Sequence, residues 1–179
     1  MLKSIFSNSI IIPTLRLSGI IGQAGMFRSG LTLNTLDKLI EKLFSDKKSP
    51  AVALIINSPG GSPTQSSLIA ERIISKSKEK KKKVLAFVED VAASGGYWLA
   101  CAADEIFVDQ NSVVGSIGVI SPGFGFVEFI KKIGIERRVY TSGKSKSFLD
   151  PFQTTKSGDI KRLKAIQEKI HKNYISPQL

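Results

Sequence analysis

Residues 84–103 constrain the fold more than any other part of the sequence. An apolar run leads to Ser94, which stands among small residues, and a second apolar segment follows it. This order is typical of a buried strand, a tight turn and a helix, so Ser94 is expected where the strand gives way to the helix. The first amides of a helix have no intrahelical acceptor and could donate to a negatively charged oxygen beside Ser94. The pattern therefore indicates a nucleophilic serine.

The amino-terminal half predicts strands that alternate with helices. Residues 51–56 are continuously apolar, which is typical of a strand buried on both faces of a parallel sheet. Residues 10–21 are β-rich but contain Pro13, so they predict one or two edge strands before a loop over residues 22–30. Helical spacing of apolar residues predicts a packing helix over 33–44. A second helix should begin at Ser62, Pro63 and Gln65, which form a capping-box pattern.

The carboxyl-terminal half continues the alternation. Strands are expected at 106–108, 113–120 and 135–140, with glycines in the second that imply close backbone approach, and helices at 126–133 and 156–174. Strands that alternate with helices predict right-handed crossovers and an α/β fold: a mostly parallel sheet with flanking helices. No repeat or linker interrupts the chain, so one domain over residues 1–179 is expected.

Composition narrows the classes of partner. The net charge is +11, and lysines cluster at 76, 78 and 80–83, at the end of a predicted helix and without aromatic residues between them. A solvated helix terminus is expected here and a nucleic-acid site is not, because cations suit a helix carboxyl end and base-stacking rings are missing. No run approaches the roughly 18 apolar residues of a membrane span, and no signal peptide is recognisable.

The base that activates the serine is sought by elimination. Cys101 is the only cysteine; it excludes an internal disulfide and a multi-cysteine metal site and is expected in the core, and no cofactor or metal is predicted. His171, the only histidine, lies near the carboxyl terminus, which disfavours a Ser-His-Asp triad. A desolvated lysine is the remaining base, and the loop 141–152 places lysines among small and apolar residues. Nucleotide binding by its Gly-Lys-Ser sequence is rejected, because Arg138 replaces the required glycine.

Two glycine-containing turns complete the predicted site. Gly60 and Gly61 follow the strand at 51–56, and Ser94 and Gly95 follow the strand at 84–89. Side by side at one sheet edge, they would offer one hydroxyl and the amides of Gly61 and Gly95 around a carbonyl oxygen, as acyl transfer requires. Phosphate binding or tight packing would use similar turns, so the pattern alone leaves these alternatives open.

Four ordered motifs together resemble the signal peptide peptidase A family. They are residues 57–62, 89–97, 114–119 and 143–147, the last followed by Asp-Pro-Phe at 150–152, and the resemblance covers about residues 10–174. It implies serine-lysine peptidases with a Clp protease/crotonase-like fold built from repeated βα spiral units. The site residues that it implies are Ser94 as nucleophile, Lys146 as general base, Gly61 and Gly95 as oxyanion donors, and Ser116 as a hydroxyl that holds the lysine.

The resemblance also implies partners and a context. Substrates would be extended apolar peptides such as residual signal peptides, and the chain would form ring-like homo-oligomers without nucleic acid. Family members usually continue past the last helix and often begin with a membrane anchor; neither part is recognised here, so a truncated domain, cytoplasmic or peripheral to the bacterial inner membrane, is expected. Two other classes stay open: an acyl-thioester enzyme of crotonase-like fold, and a non-catalytic oligomeric module.

Overall fold

The computed structural model describes residues 10–23, 30–143 and 146–175. These residues fall into two compact units, the first ending at Ile117 and the second beginning at Gly118. Most of the loop predicted at residues 22–30 and the pair 144–145 of the loop at 141–152 lie outside the described residues. Each unit is described by itself below.

The first unit is built on a parallel sheet. The described strands are β1 (Thr14–Ser18), β2 (Ala51–Ser58), β3 (Lys83–Ala93), β4 (Glu105–Val108) and β5 (Val113–Gly115). Their order is β1-β2-β3-β4, and β5 pairs with the carboxyl end of β3, beyond the stretch that pairs with β4. All of these pairings are parallel, so the predicted mostly parallel sheet is confirmed.

Three helices accompany the sheet: α1 (Leu33–Leu43), α2 (Pro63–Lys80) and α3 (Gly95–Ala100). β2 is buried along most of its length, as its apolar run predicted. In β3 the burial alternates, and Phe87 is 40% exposed and stacks on Phe107 of β4 with 4.9 Å between ring centroids. The core is mainly apolar; its fully buried side chains include Leu17, Ile40, Leu54, Ile56, Ile69, Ile73, Val84 and Leu99.

The start of α2 differs from the predicted capping box in one bond. Ser62 accepts from the Gln65 amide at 3.3 Å, as expected, and Pro63 opens the helix. The Gln65 side chain, however, accepts from the Leu33 amide at 2.8 Å, while the Ser62 amide donates to the Ile21 carbonyl. The reciprocal bond of the box is not made, because Gln65 instead satisfies the amino-terminal amide of α1 and links the two helices.

Two strand predictions need correction. Residues 135–140 are not a strand, and Ile135 instead donates to the Ile130 carbonyl at the end of a helix. The strand expected at 113–120 ends at Gly115, because Ser116 has a φ of 55° and turns the chain. The close approach expected at Gly115 and Gly118 is absent, since a Cβ on either would meet no atom within 4 Å. Glycine suits position 115 for another reason, because the φ of 113° there is unfavourable for other residues.

The second unit contains the two predicted helices, α4 (Val127–Lys132) and α5 (Ser157–Ile175). Ile130 and Tyr174 are its buried apolar side chains among the described residues. In the described part of the chain, no helix combines the length and the apolar character that crossing a membrane requires.

Two predictions about which side chains are buried are also wrong, one for the lysine cluster and one for Cys101. Lys76 is buried, with its ammonium 2.8 Å from carboxylate oxygens of both Glu41 and Glu79, and Lys82 is buried with its ammonium on the Asp46 carbonyl. The lysine cluster does end a helix, but these two members are not solvated, because neighbouring acceptors replace water. Cys101 is exposed and not in the core, although Ala100 and Ala102 beside it are buried, because it is the C-cap residue beyond the buried part of α3.

Candidate active site

Ser94 occupies a strained turn between β3 and α3. Its φ is 50° and its ψ is −122°, a conformation that is unfavourable for every residue except glycine. Its amide donates to the Gly115 carbonyl of β5 at 2.7 Å, and its carbonyl accepts from the Trp98 amide at 3.1 Å. The sheet and the helix thus hold this serine from both sides in a conformation that a free chain would avoid.

The turn after β2 lies directly against Ser94. Gly60 has a φ of 97°, and a Cβ built on it would lie 2.7 Å from the Gly95 nitrogen and 2.9 Å from the Ser94 Cβ. A side chain at Gly60 would therefore collide with backbone that cannot move independently. The expectation that the two glycine-containing turns lie side by side agrees with this contact.

Ile21 clamps the Gly60–Gly61 turn, a contact that sequence reasoning missed. The Ile21 amide donates to the Gly60 carbonyl at 2.9 Å, and its carbonyl accepts from Ser62 at 2.8 Å. Gly61, with a φ of 149°, lies so close to the Ile21 carbonyl that a Cβ would overlap it. Gly61 itself is exposed. The backbone around the predicted oxyanion donor is consequently set by bonds from a third segment.

Two buried serines support the same turns and were also missed. Ser58 donates through its hydroxyl to the Gly19 carbonyl at 2.7 Å and accepts from the Gly60 amide at 3.1 Å. A Cβ on Gly95 would overlap the Ser66 hydroxyl, and a Cβ on Gly96 would overlap the Ser58 carbonyl. Ser58 stands beside the Pro-Gly-Gly sequence, which was a usable signal. Ser66 carried none, because its role depends on the packing of α2 against α3.

The two remaining predicted site residues lie apart in the chain. Ser116 follows Gly115, whose carbonyl accepts from Ser94, and Ser116 is exposed with a φ of 55°. Lys146 is exposed, and the described turn over residues 146–149 includes it. Ser94, Gly61, Gly95 and Ser116 belong to the first unit and Lys146 to the second. The predicted dyad thus draws its two members from different units.

The segment after Lys146 is anchored by Asp150. The Asp150 side chain is 7% exposed, lies 3.2 Å from the Arg137 guanidinium and accepts from the Phe152 amide at 3.0 Å. That amide, followed by Arg137, holds the pKa of the Asp150 carboxyl below its usual value. The Phe126 amide donates to the Pro151 carbonyl at 2.7 Å. The Asp-Pro-Phe motif therefore fixes the backbone of this segment through its bonds to Arg137 and Phe126.

Among the described residues, no three or more histidine, cysteine, aspartate or glutamate side chains are grouped as a metal site would require. The groups around Ser94 are its own hydroxyl, backbone amides of the two turns, and glycines that let the two turns pack in direct contact. That arrangement can bind and polarise a carbonyl group.

Comparison with known proteins finds relatives of the chain. The model of peptidase family S49 matches residues 76–176, a range that includes Ser94, Ser116 and Lys146. A Brucella melitensis protein named "Na(+)/H(+) antiporter NhaA" is 56% identical over 165 residues, which are 92% of this chain and 22% of that protein. The "Putative signal peptide peptidase SppA" of Enterococcus faecium is 34% identical over 112 residues, 63% of this chain and 32% of that protein.

A solved structure, ClpP1 from Listeria monocytogenes, aligns over 58% of this chain and 55% of its own, with a TM-score of 0.45 and 23% identity. The chain spans between a fifth and a third of the length of the two relatives.

Proposed function

Because this chain belongs to peptidase family S49, we propose that it is a serine peptidase whose nucleophile is Ser94. The observation that carries the proposal is the backbone of Ser94, held at φ 50° and ψ −122° where β3 meets α3. A sharp strand-to-helix turn of this kind presents a serine hydroxyl at the end of a sheet, clear of its own backbone. Backbone strain of this kind in a well-packed unit is typical of functional positions.

The oxyanion donors in this proposal are the amides of Gly61 and Gly95. The Gly95 amide is the first of α3 and has no acceptor within that helix. The Gly60–Gly61 turn is held against Ser94 by the close contact of Gly60 and by the bonds from Ile21. Preorganised amides are effective because they need no reorientation when negative charge develops on the substrate oxygen.

The general base in this proposal is Lys146, with Ser116 as the hydroxyl that orients it. A lysine can accept the serine proton only in its neutral form, which burial next to the substrate would favour. Lys146 is exposed in the single chain. The proposal therefore requires that substrate or neighbouring subunits cover it, in keeping with the ring-like homo-oligomer that the family resemblance implies.

The reaction proceeds through an acyl-enzyme. Neutral Lys146 takes the Ser94 proton while the serine oxygen bonds to the peptide carbonyl carbon, and the two amides bind the resulting oxyanion. The tetrahedral species collapses as the C–N bond breaks, and Lys146 returns the proton to the departing amine. Water then attacks the ester, again losing its proton to Lys146, and Ser94 regains its hydrogen as the acid is released.

The proposed substrates are extended apolar peptides, including residual signal peptides. The name of the Enterococcus relative refers to signal peptides, and this chain is similar to it over 63% of its length. The antiporter name of the Brucella relative belongs to a protein of which the matched region is 22%.

The decisive experiment is hydrolysis of a fluorogenic apolar peptide by the full chain and by Ser94→Ala and Lys146→Ala. Each replacement should lower kcat/KM by several orders of magnitude, since such groups act as a unit. Lys156→Ala, which removes an exposed lysine of the second unit, should leave the rate unchanged. Undiminished turnover by Ser94→Ala would overturn the proposal, as would labelling of another residue by a serine-directed phosphonate. Stabilisation by coenzyme A without peptide cleavage would favour an acyl-thioester enzyme.

A further inference from the structure

One end of the first unit concentrates the positive charge of the chain. We call it the lysine end and define it as residues 38–48 and 76–83. These two segments contain ten lysines and three carboxylates, a net charge of +7 within a chain whose total is +11. The segments are separated in sequence, so only the fold decides whether their charges add.

The structure brings the two segments together. Lys76 of α2 bonds to Glu41 of α1 at 2.8 Å, and the Lys82 ammonium donates to the Asp46 carbonyl beyond α1. A cleft of about 710 Å³ lies between them. Its lining includes Lys38, Lys42, Lys47, Lys80 and Lys82.

The lysines exceed what the fold itself needs. The carboxyl end of α1 has Lys42 in its last turn, and that of α2 has Lys78 and Lys80, which suffices to offset the negative helix ends. Glu41 and Glu79 already bond to the buried Lys76. Six lysines of this end are exposed and form no ion pair within the described residues: Lys38, Lys42, Lys47, Lys48, Lys78 and Lys81. Four of them, Lys38, Lys47, Lys48 and Lys81, lie outside the last turns of the two helices.

We propose that the lysine end binds the anionic headgroups of a lipid surface. Every cation in the two segments is a lysine, and the only aromatic residue, Phe44, is 1% exposed. Nucleic-acid sites add stacking rings or the two-pronged contacts of arginine, and this surface offers neither. Flexible, strongly hydrated ammonium groups instead suit a diffuse layer of headgroups, where each contributes roughly a fivefold gain in binding at low salt.

The proposal does not depend on Ser94 or on peptidase activity. It rests on charge that is brought together at the end of α1 and α2, whereas the proposed nucleophile lies where β3 meets α3. A protein without any peptidase activity would still show the lipid binding, so the two proposals fail separately.

Co-sedimentation with vesicles tests it. The intact chain should sediment with phosphatidylglycerol–phosphatidylcholine vesicles and not with phosphatidylcholine alone, and added salt should release it. Replacing Lys38, Lys42, Lys47 and Lys78 together by Gln should lower the partition coefficient by about two orders of magnitude or more. The matched control replaces Lys161, Lys164, Lys169 and Lys172 of α5 by Gln, which removes the same charge from exposed positions elsewhere.

The control should bind the vesicles nearly as well as the unaltered chain. Equal loss of vesicle binding in both variants would show that net charge alone governs binding. Unchanged binding of the first variant would show that the lysine end does not contact the lipid. Either result overturns the proposal. A DNA duplex is added to compete with the vesicles for the protein. Displacement by DNA at a phosphate concentration below that of the lipid headgroups would identify a nucleic-acid surface instead. Circular dichroism and thermal unfolding verify that both variants fold.

Discussion

Gly60 packs against Ser94 so closely that a Cβ on Gly60 would lie 2.9 Å from the Ser94 Cβ. The two residues follow the ends of neighbouring parallel strands, β2 and β3, and the carboxyl ends of such strands meet at one edge of the sheet. The turn that is proposed to hold the oxyanion and the turn that carries the proposed nucleophile are thus a single packed unit. A change in one should be felt in the other.

Gly60→Ala should therefore impair both stability and activity. The added methyl would meet the Gly95 nitrogen at 2.7 Å, and the φ of 97° is unfavourable for alanine, so we expect a loss of about 2 kcal/mol or more in the free energy of unfolding. Urea unfolding and kcat/KM measure the two effects. Gly118→Ala is the control, since a Cβ there has open space and should change neither. Wild-type stability of Gly60→Ala would contradict the packing described here.

The strain at Ser94 predicts a reversed order of stability for two inactive variants. At an ordinary helical position, glycine is less stable than alanine by about 0.5–1 kcal/mol. At Ser94, with a φ of 50°, glycine relieves the strain and alanine retains it, so Ser94→Gly should be more stable than Ser94→Ala by about 1 kcal/mol. Chemical denaturation measures both. The same pair at Ser67, inside α2, should show the normal order, and a normal order at both sites would mean that Ser94 is unstrained.

Ser58→Ala should weaken the turn that precedes Gly61. The fully buried hydroxyl bonds to the Gly19 carbonyl and to the Gly60 amide, and its loss leaves the buried Gly60 amide without that partner, at a cost of about 1–3 kcal/mol. We also expect a lower kcat for a peptide substrate, because the amide of Gly61 would be less firmly placed. Ser45→Ala, which removes an exposed hydroxyl, should alter stability by less than about 0.5 kcal/mol. Equal effects of the two changes would refute the role assigned to Ser58.

The pairing of Glu79 with lysine should make part of the stability acid-sensitive. Hydrogen bonds from Lys76 and then Lys80 lower the pKa of Glu79 from 4.5 to about 2. Because the folded-state pKa is the lower one, this stabilisation is complete above pH 4.5 and is lost as the pH falls towards 2. Urea unfolding across this window should show a shallower acid loss for Glu79→Gln than for the unaltered chain. Glu128→Gln, on the exposed surface of α4, should keep the original slope; identical slopes for all three proteins would disprove the linkage.

Much of the architecture was predictable because it depends on local patterns. The uninterrupted apolar run of β2, the helical spacing in α1 and the Ser-Pro start of α2 each carry their own signal over a few residues. The predicted signal peptide peptidase A family is confirmed by the match to peptidase family S49. The parallel strand pairings likewise confirm the predicted α/β class with a mostly parallel sheet and flanking helices. Ser94 lies at the predicted strand-to-helix junction.

The errors occur where a distant partner decided the outcome. Residues 135–140 have a β-rich composition, yet a strand needs a ladder partner, and none of the described strands pairs with them. The sequence predicts that Lys76 is solvated, but it is buried and its ammonium bonds to Glu41, thirty-five residues earlier. The sequence predicts that the Gln65 side chain bonds to the Ser62 amide in a capping box, but in the structure it accepts from the Leu33 amide. The contacts of Lys76 with Glu41 and of Gln65 with Leu33 join residues more than thirty positions apart, so the surrounding residues give no signal of them.

By itself the sequence determined which residues could be chemically useful and which local element each one occupies, because side-chain type and hydrophobic spacing act over one or two turns of chain. Only the tertiary structure decided that Gly60 abuts Ser94, that Ile21 and Ser58 hold the facing turn, and that two lysine-rich segments share one surface. Those relationships arise when parallel strands align their carboxyl ends and helices pack side by side, so they join residues whose separation along the chain carries no signal.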